Sequence, residues 1–213
     1  GYKLKTEVAV TGVVGLLQGS PTKPVIMLRF DMDALPILEE NTIEYRSINN
    51  GVMHACGHDA HVAIGLTVAK MIAQNHELCD ATIKIVFQPA EEGLGGAERM
   101  IAEGILENPR PDFILGLHVW NEKPIGWVGT SKRELMAGAD TFRIKIIGKG
   151  GHGGHPHETV DPIVAAAQVI MASQSIISRN ISPLESAVIS FCSLQGGNTF
   201  NVIPNFVEIG GTI

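Results

Sequence analysis

The sequence predicts an α/β fold: a first layered domain with a mainly parallel sheet, then a smaller α+β domain. Two observations carry that reading. Up to residue 119, short apolar runs rich in β-branched residues alternate with helix-periodic segments in a strand–helix–strand rhythm. After residue 137 the order becomes strand, long helix, strand, strand, which does not continue the first rhythm.

Taken in order, 8–17 (VAVTGVVGLL) and 25–30 (VIMLRF) read as buried strands joined by the turn GSPTKP. A polar, irregular stretch follows DMDALP to about residue 57. Residues 60–75 then place apolar groups at helical spacing, with Asp59 positioned as N-cap. Segment 82–87 (TIKIVF) is a strand, 96–104 a helix closing on Gly104, and 113–119 (FILGLHV) a strand. The stretch 130–138 lacks periodicity, and the boundary is placed there, giving domains 1–133 and 134–213. The second domain reads as strand 141–148, the loop KGGHGGHPH, helix 161–179 with Asp161 as cap and Pro162 in its first turn, and strands near 186–194 and 206–213. No repeat or low-complexity segment is visible.

The bulk numbers exclude some function classes. With 16 basic against 22 acidic residues the net charge is −6, so there is no electrostatic case for nucleic acid or an anionic membrane. No apolar run approaches the roughly 18–20 residues of a transmembrane helix. Three cysteines, Cys56, Cys79 and Cys192, are too few and odd for a disulfide framework, and imply a reducing, cytoplasmic compartment. The chain opens on Gly1 and closes on the apolar run EIGGTI, so it reads as a fragment.

Chemistry-bearing residues cluster at the ends of predicted strands, where open α/β sheets bind ligands. In HACGHDAH (54–61), Cys56 and His58 sit two apart in an extended turn and are compatible ligands for zinc and its neighbours. Alone, the segment also reads as a buried thiol beside surface histidines. In FQPAEEGLGG, Glu91 and Glu92 follow a strand directly; one can ligate a metal while the other takes a proton from the attacking water. A solvated loop is the plain alternative. His118 lies in the apolar strand GLHVW, where a lone histidine is commonly a hydrogen-bonded core residue. Asp31 and Asp33 follow VIMLRF; Asp33 is placed to orient a ligand histidine. Together these clusters weaken the separate plain readings.

The segments RFDMDALPILEE, GVMHACGHDAHVA, IKIVFQPAEEGLGGAERMI, GLHVW, IGKGGHGGHPHETVDPI and NVIPN resemble, in order and spacing, the M20 metallopeptidases, in particular their N-acyl-amino-acid, hippurate and indole-acetyl-amino-acid hydrolase branch. The resemblance covers essentially the whole chain. It implies a zinc-peptidase-like catalytic domain, here truncated, with an inserted α+β lid that often dimerises. It implies two divalent metal ions, Zn2+ or Mn2+ with Co2+ or Ni2+ as alternatives, held by Cys56, His58, Glu92 and His118. Glu91 is implied as general acid/base and Asp33 as the aspartate behind the ligands, with Asp31 replacing the histidine of the family's H-x-D motif. His152 is implied in oxyanion stabilisation, commonly from a partner subunit, and Asn201 near the substrate carboxylate. His54 and His61 read as neighbours of the ligands. A fifth ligand, a histidine, is expected beyond Ile213, so this stretch alone should bind metal weakly. The expected activity is hydrolysis of the amide bond of a small N-acyl amino acid by a homodimer. A dipeptidase or aminopeptidase of the same family, or a metal-free binding protein, are the alternatives.

Overall fold

The computed structural model describes residues 1–75, 77, 80–132 and 134–213; Cys79, and Arg133 at the end of the expected first domain, lie outside them. The chain forms two compact units, Gly1–Trp127 and Val128–Ile213.

The first unit is built on a five-stranded sheet. Its strands are β1 (Lys3–Val8), β2 (Gly12–Leu17), β3 (Val25–Asp31), β4 (Thr82–Gln88) and β5 (Phe113–Gly116), in the order β1-β2-β4-β3-β5. β3 pairs parallel with both β4 and β5, whereas β1–β2 and β2–β4 are antiparallel. The sheet is therefore mixed rather than mainly parallel. Part of the correction originates in 8–17, which is not one strand but a strand end, a tight turn and a second strand, and so adds the antiparallel β1 to a sheet where β2 already opposes β4. Ala9 and Val10 take positive φ values of 50° and 79°. The Ala9 N–H donates to Glu103 Oε2 at 2.9 Å, so a contact from far along the chain holds the turn.

Helix α1 (His58–Gln74) covers one face of this sheet and α2 (Gly96–Ala102) the other. The period of two along β4 explains the division: Ile83, Ile85 and Phe87 pack with Ile64, Ala69 and Ile72 of α1, while Val86 joins Val14, Met27 and Met100 on the α2 side. Gly65 lets α1 lie directly on the Phe30–Phe87 ring pair, since a Cβ there would meet both rings at 2.8 Å. Lys84 interrupts the apolar strand but is satisfied: its Nζ donates to the carbonyls of Ile105, Glu107 and Pro109 at 2.9, 3.0 and 2.7 Å.

The second unit has a three-stranded antiparallel sheet, β6 (Thr141–Ile147), β10 (Phe206–Thr212) and β8 (Ser190–Gln195), with β10 central. Helix α3 (Pro162–Asn180) packs on it through Ala166, Val169 and Ile170 against Val207 and Ile209. Asp161 caps α3, its side chain accepting from the Ile163 N–H at 2.8 Å, and Pro162 occupies the first helical position. A short ladder joins β7 (Gly151–His152) to β9 (Val202–Ile203). No helix among the described residues is long and apolar enough to cross a membrane.

Candidate metal centre

Because β3, β4 and β5 run parallel, their carboxyl ends open on the same edge of the sheet, and each delivers side chains there. Asp31 is the last residue of β3 and Asp33 lies just past it; past β4 come Glu91 and Glu92, and past β5, His118. The chain between β3 and α1 is tied back by the Leu35–Met53 bridge, which brings Cys56 and the start of α1 to the same edge. His118 lies beyond the last residue of β5 rather than inside a strand, which frees its ring from the sheet.

The turn at 56–58 is set by Gly57. Its φ of 84° is left-handed, and a Cβ there would lie 2.7 Å from Val119 Cγ2. Gly57 is also the N-cap of α1, so the helix starts earlier than expected and Asp59 lies in its first turn rather than capping it. Glu91 and Glu92 leave the strand through Ala90, a non-glycine residue at φ 55°. That loop closes where the Gly96 N–H donates to the Ala90 carbonyl at 3.0 Å.

Cys56, His58 and His118 offer ligand atoms within 4.8 Å of one another, as do His58, Glu91 and Glu92. Cys56 Sγ is 3.3 Å from His118 Nε2, and His58 Nε2 is 4.0 Å from Glu92 Oε1. The His118 Nδ1–H donates to the Val119 carbonyl at 2.7 Å, so the lone pair is on Nε2, facing the thiol. His58 Nδ1 lies 3.1 Å from Asp33 Oδ1, which leaves Nε2 to point into the site. That atom is the one buried side-chain nitrogen or oxygen among the described residues without a hydrogen-bond partner. A buried imidazole nitrogen without a partner is costly unless something occupies its lone pair. Thiol, imidazole and carboxylate groups converging on it are a donor set that fits a divalent cation of the zinc type.

Asp33 links two of the loops. Its Oδ1 faces His58, while its Oδ2 accepts the Glu92 N–H at 2.9 Å. Burial pushes this carboxyl up, but the N–H groups of Glu92 and Glu91, its own N–H and the nearby His58 together hold it below the usual range. Cys56 goes the other way. Burial first, then a hydrogen bond to Glu92 and the charges of Glu92, Glu91 and Asp31, push its thiol up to about 11. A thiolate at this position therefore needs a cation beside it.

His152 and Asn201 belong to the second unit, which brings them together through the β7–β9 ladder: His152 pairs with Val202, and the Gly153 N–H donates to the Asn201 carbonyl at 2.8 Å. Both are exposed. His152 Nδ1 accepts the Gly154 N–H at 3.0 Å, so its proton is on Nε2. Asn201 Oδ1 accepts from Thr199 Oγ1 at 2.9 Å, leaving its NH2 group as the donor. His155, His157 and Glu158 form a further group in the same unit, fully on the surface.

Sequence reasoning missed two features of the first unit. His61 is completely buried and hydrogen-bonded to Asp31, a residue that in the sequence reads as a strand end and a motif replacement. The signal was present in the i, i+3 spacing of His58 and His61, which puts both rings on one face of α1. The Gly57 cap was missed because nothing local announces its contact with Val119.

Residues 27–210 match the model of Peptidase family M20/M25/M40. The chain is 46% identical over 212 residues to IAA-amino acid hydrolase ILR1-like 4 of Arabidopsis thaliana, covering all of this chain and 48% of that protein. It is 42% identical over 213 residues to the N-acetyl-L-cysteine deacetylase of Bacillus subtilis, covering 51% of it. The chain thus spans about half the length of the curated relatives it matches. Among solved structures, the Bacillus subtilis YXEP protein, a dinuclear metal-binding peptidase of the M20 family, superposes with a TM-score of 0.70 at 35% identity, over 99% of this chain and 53% of that one. Sequence, fold and the converging donors agree, and the chain belongs to Peptidase family M20/M25/M40.

Proposed function

We propose that this chain carries the metal-binding part of a hydrolase that cleaves the amide bond of N-acyl amino acids, of acetyl, benzoyl or indole-acetyl type. The observation that carries the reading is the buried, unpartnered His58 Nε2 at the convergence of Cys56, His118 and Glu92. Similarity to an IAA-amino acid hydrolase and an N-acetyl-L-cysteine deacetylase supports the substrate class.

Cys56, His58, Glu92 and His118 are the proposed ligands of two divalent cations, Zn2+ or Mn2+, with Co2+ or Ni2+ able to replace them. When bound, such ions polarise the scissile carbonyl and make water acidic enough to attack near neutral pH. Glu91, exposed beside Glu92, takes the proton of the attacking water on its carboxylate and returns it to the departing amine. Asp33 holds the His58 ring and the Glu92 backbone in register. His152 is proposed to stabilise the oxyanion through its Nε2–H, and Asn201 to donate to the substrate carboxylate through its NH2. The first unit is proposed as the truncated catalytic domain and the second as the inserted lid through which two copies pair. A cytoplasmic setting belongs to the same proposal, in keeping with the free thiols Cys56 and Cys192.

The test is hydrolysis by the full-length protein, stripped with chelator and reloaded with each metal, across N-acetyl, N-benzoyl and indole-acetyl amino acids and free dipeptides. Metal-dependent release of the amino acid from an N-acyl substrate is expected. Cleavage of dipeptides alone would place the protein among dipeptidases or aminopeptidases. No bound metal and no turnover would make it a binding protein.

A further inference from the structure

His61 and Asp31 lie at the base of the candidate metal centre, with 0% and 1% of their surface exposed. Their ligand atoms, with those of His58, fall within 4.8 Å of one another, so they could be taken for a further set of metal ligands. The hydrogen bonds argue otherwise. The Val119 backbone N–H donates to His61 Nε2 at 2.9 Å, and a backbone N–H can only donate. The Nε2 lone pair is therefore committed, and the ring proton is on Nδ1, where it is hydrogen-bonded to Asp31 Oδ1. Asp31 Oδ2 is held in turn by Arg29 Nη1 at 2.6 Å, and Arg29 Nε donates to Gln88 Oε1 at 2.9 Å. Both nitrogens of His61 are spoken for, and each oxygen of Asp31 already accepts one hydrogen bond.

What this chain of bonds holds is the Val119 backbone, and the Val119 backbone governs His118. The carbonyl of Val119 accepts the His118 Nδ1–H, which directs the Nε2 lone pair at Cys56. The Val119 side chain is the surface against which Gly57 turns between Cys56 and His58. The His61 and His118 rings meet edge to face with centroids 4.7 Å apart. We infer that His61, backed by Asp31, is a positioning residue for the metal centre: it is not a ligand, and it acts by fixing Val119 so that His118 presents Nε2 to the cation. This inference rests on the reading of Cys56 and His118 as ligands.

Two substitutions of His61 separate the positioning role from ligation and from general destabilisation. The amide of glutamine reaches the place of Nε2, so His61→Gln keeps an acceptor for the Val119 N–H. The amide of asparagine reaches only the place of Nδ1, so His61→Asn keeps the bond to Asp31 and leaves the Val119 N–H unpaired. Each variant of the full-length protein is titrated with Co2+, following affinity, stoichiometry and the thiolate-to-cobalt charge-transfer band. The expected result is affinity within a few-fold of wild type for His61→Gln, affinity about 10–100-fold weaker for His61→Asn, and unchanged stoichiometry in both. Asparagine binding as tightly as glutamine, or loss of one metal per chain in either variant, overturns the inference. If the variants do not fold, ring-nitrogen NMR of the wild type decides. A His61 Nε2 resonance that stays in place when Zn2+ is added supports positioning, and one that moves as a metal-bound nitrogen does overturns it. Wild-type protein that binds no Co2+ would instead defeat the underlying metal reading.

Discussion

Asp33 Oδ1 lies 3.1 Å from His58 Nδ1, and through that contact the ring is turned so that its other nitrogen faces the donors of two neighbouring loops. The same carboxylate accepts the Glu92 N–H through Oδ2, so one side chain sets both a candidate ligand and the backbone that carries another. Replacing Asp33 by Asn keeps its size but offers an NH2 group where one of two acceptors is needed. Metal affinity should fall about 10–100-fold, with little change in melting temperature. A competition titration against a chelator of known affinity checks this; unchanged affinity would mean that the Asp33 backbone carbonyl, also 3.1 Å from His58 Nδ1, orients the ring without the carboxylate.

Glu91 and Glu92 are adjacent and both exposed, yet the proposed chemistry separates them. Glu91→Gln removes a proton acceptor without removing a ligand. Turnover should drop about 10²–10⁴-fold while the bound metal content stays at the wild-type level. Glu92→Gln should lower metal content. The reverse pattern would exchange the two roles.

Gly57 makes a further demand on the site. An alanine there would be strained at φ 84° and would press its Cβ on Val119 at 2.7 Å. Gly57→Ala should therefore weaken metal binding beyond its effect on stability, because Cys56 and His58 flank the displaced residue. Isothermal titration beside thermal denaturation separates the two effects.

Lys84 tests the packing argument instead. Its ammonium satisfies three carbonyls in a buried position, so Lys84→Met leaves Ile105, Glu107 and Pro109 with unpaired acceptors. A loss of about 2–3 kcal/mol is expected from denaturant unfolding. A neutral or stabilising result would show that the 105–109 segment finds water or rearranges at little cost.

Glu103 supplies a pH signature. The Ala9 N–H, opposed by slight burial and helped by Arg99 and Lys5, holds its carboxyl below the usual value of 4.5. A carboxyl lowered in the folded state contributes stability that is present above the unfolded pKa and lost as pH falls through the folded one. The difference in melting temperature between wild type and Glu103→Ala should thus be full near neutrality and shrink below about pH 4.5. A difference that is flat with pH would assign the effect to helix α2 rather than to the turn at Ala9.

Much of the site is legible in the sequence because strand ends are legible. The apolar run TIKIVF announces where β4 stops, and Glu91 and Glu92 come just after it. His118 is found in the same way, Cys56-x-His58 by the density of His, Cys and Asp ahead of a helix-periodic segment, and the Asp161–Pro162 start of α3 is written in local capping chemistry. What escapes is what depends on distant partners. The Val8–Gly12 turn holds no strong turn dipeptide, and is set by Glu103 from 94 residues away. With the turn goes the direction of β1, and so one of the two antiparallel pairings of the sheet. Asp31 looks like a strand terminus until the fold places His61 against it, and Gly57 looks dispensable until Val119 arrives from β5.

The most direct measurement is a crystal structure of the full-length protein soaked in Zn2+, with anomalous diffraction recorded at the zinc edge. Anomalous peaks are expected at bonding distance, about 2.0–2.3 Å, from Cys56 Sγ, His58 Nε2, Glu92 and His118 Nε2, with His61 still bonded to Asp31 and the Val119 N–H. Zinc bound through Asp31 and His61, or no zinc at this edge of the sheet, would contradict this ligand set.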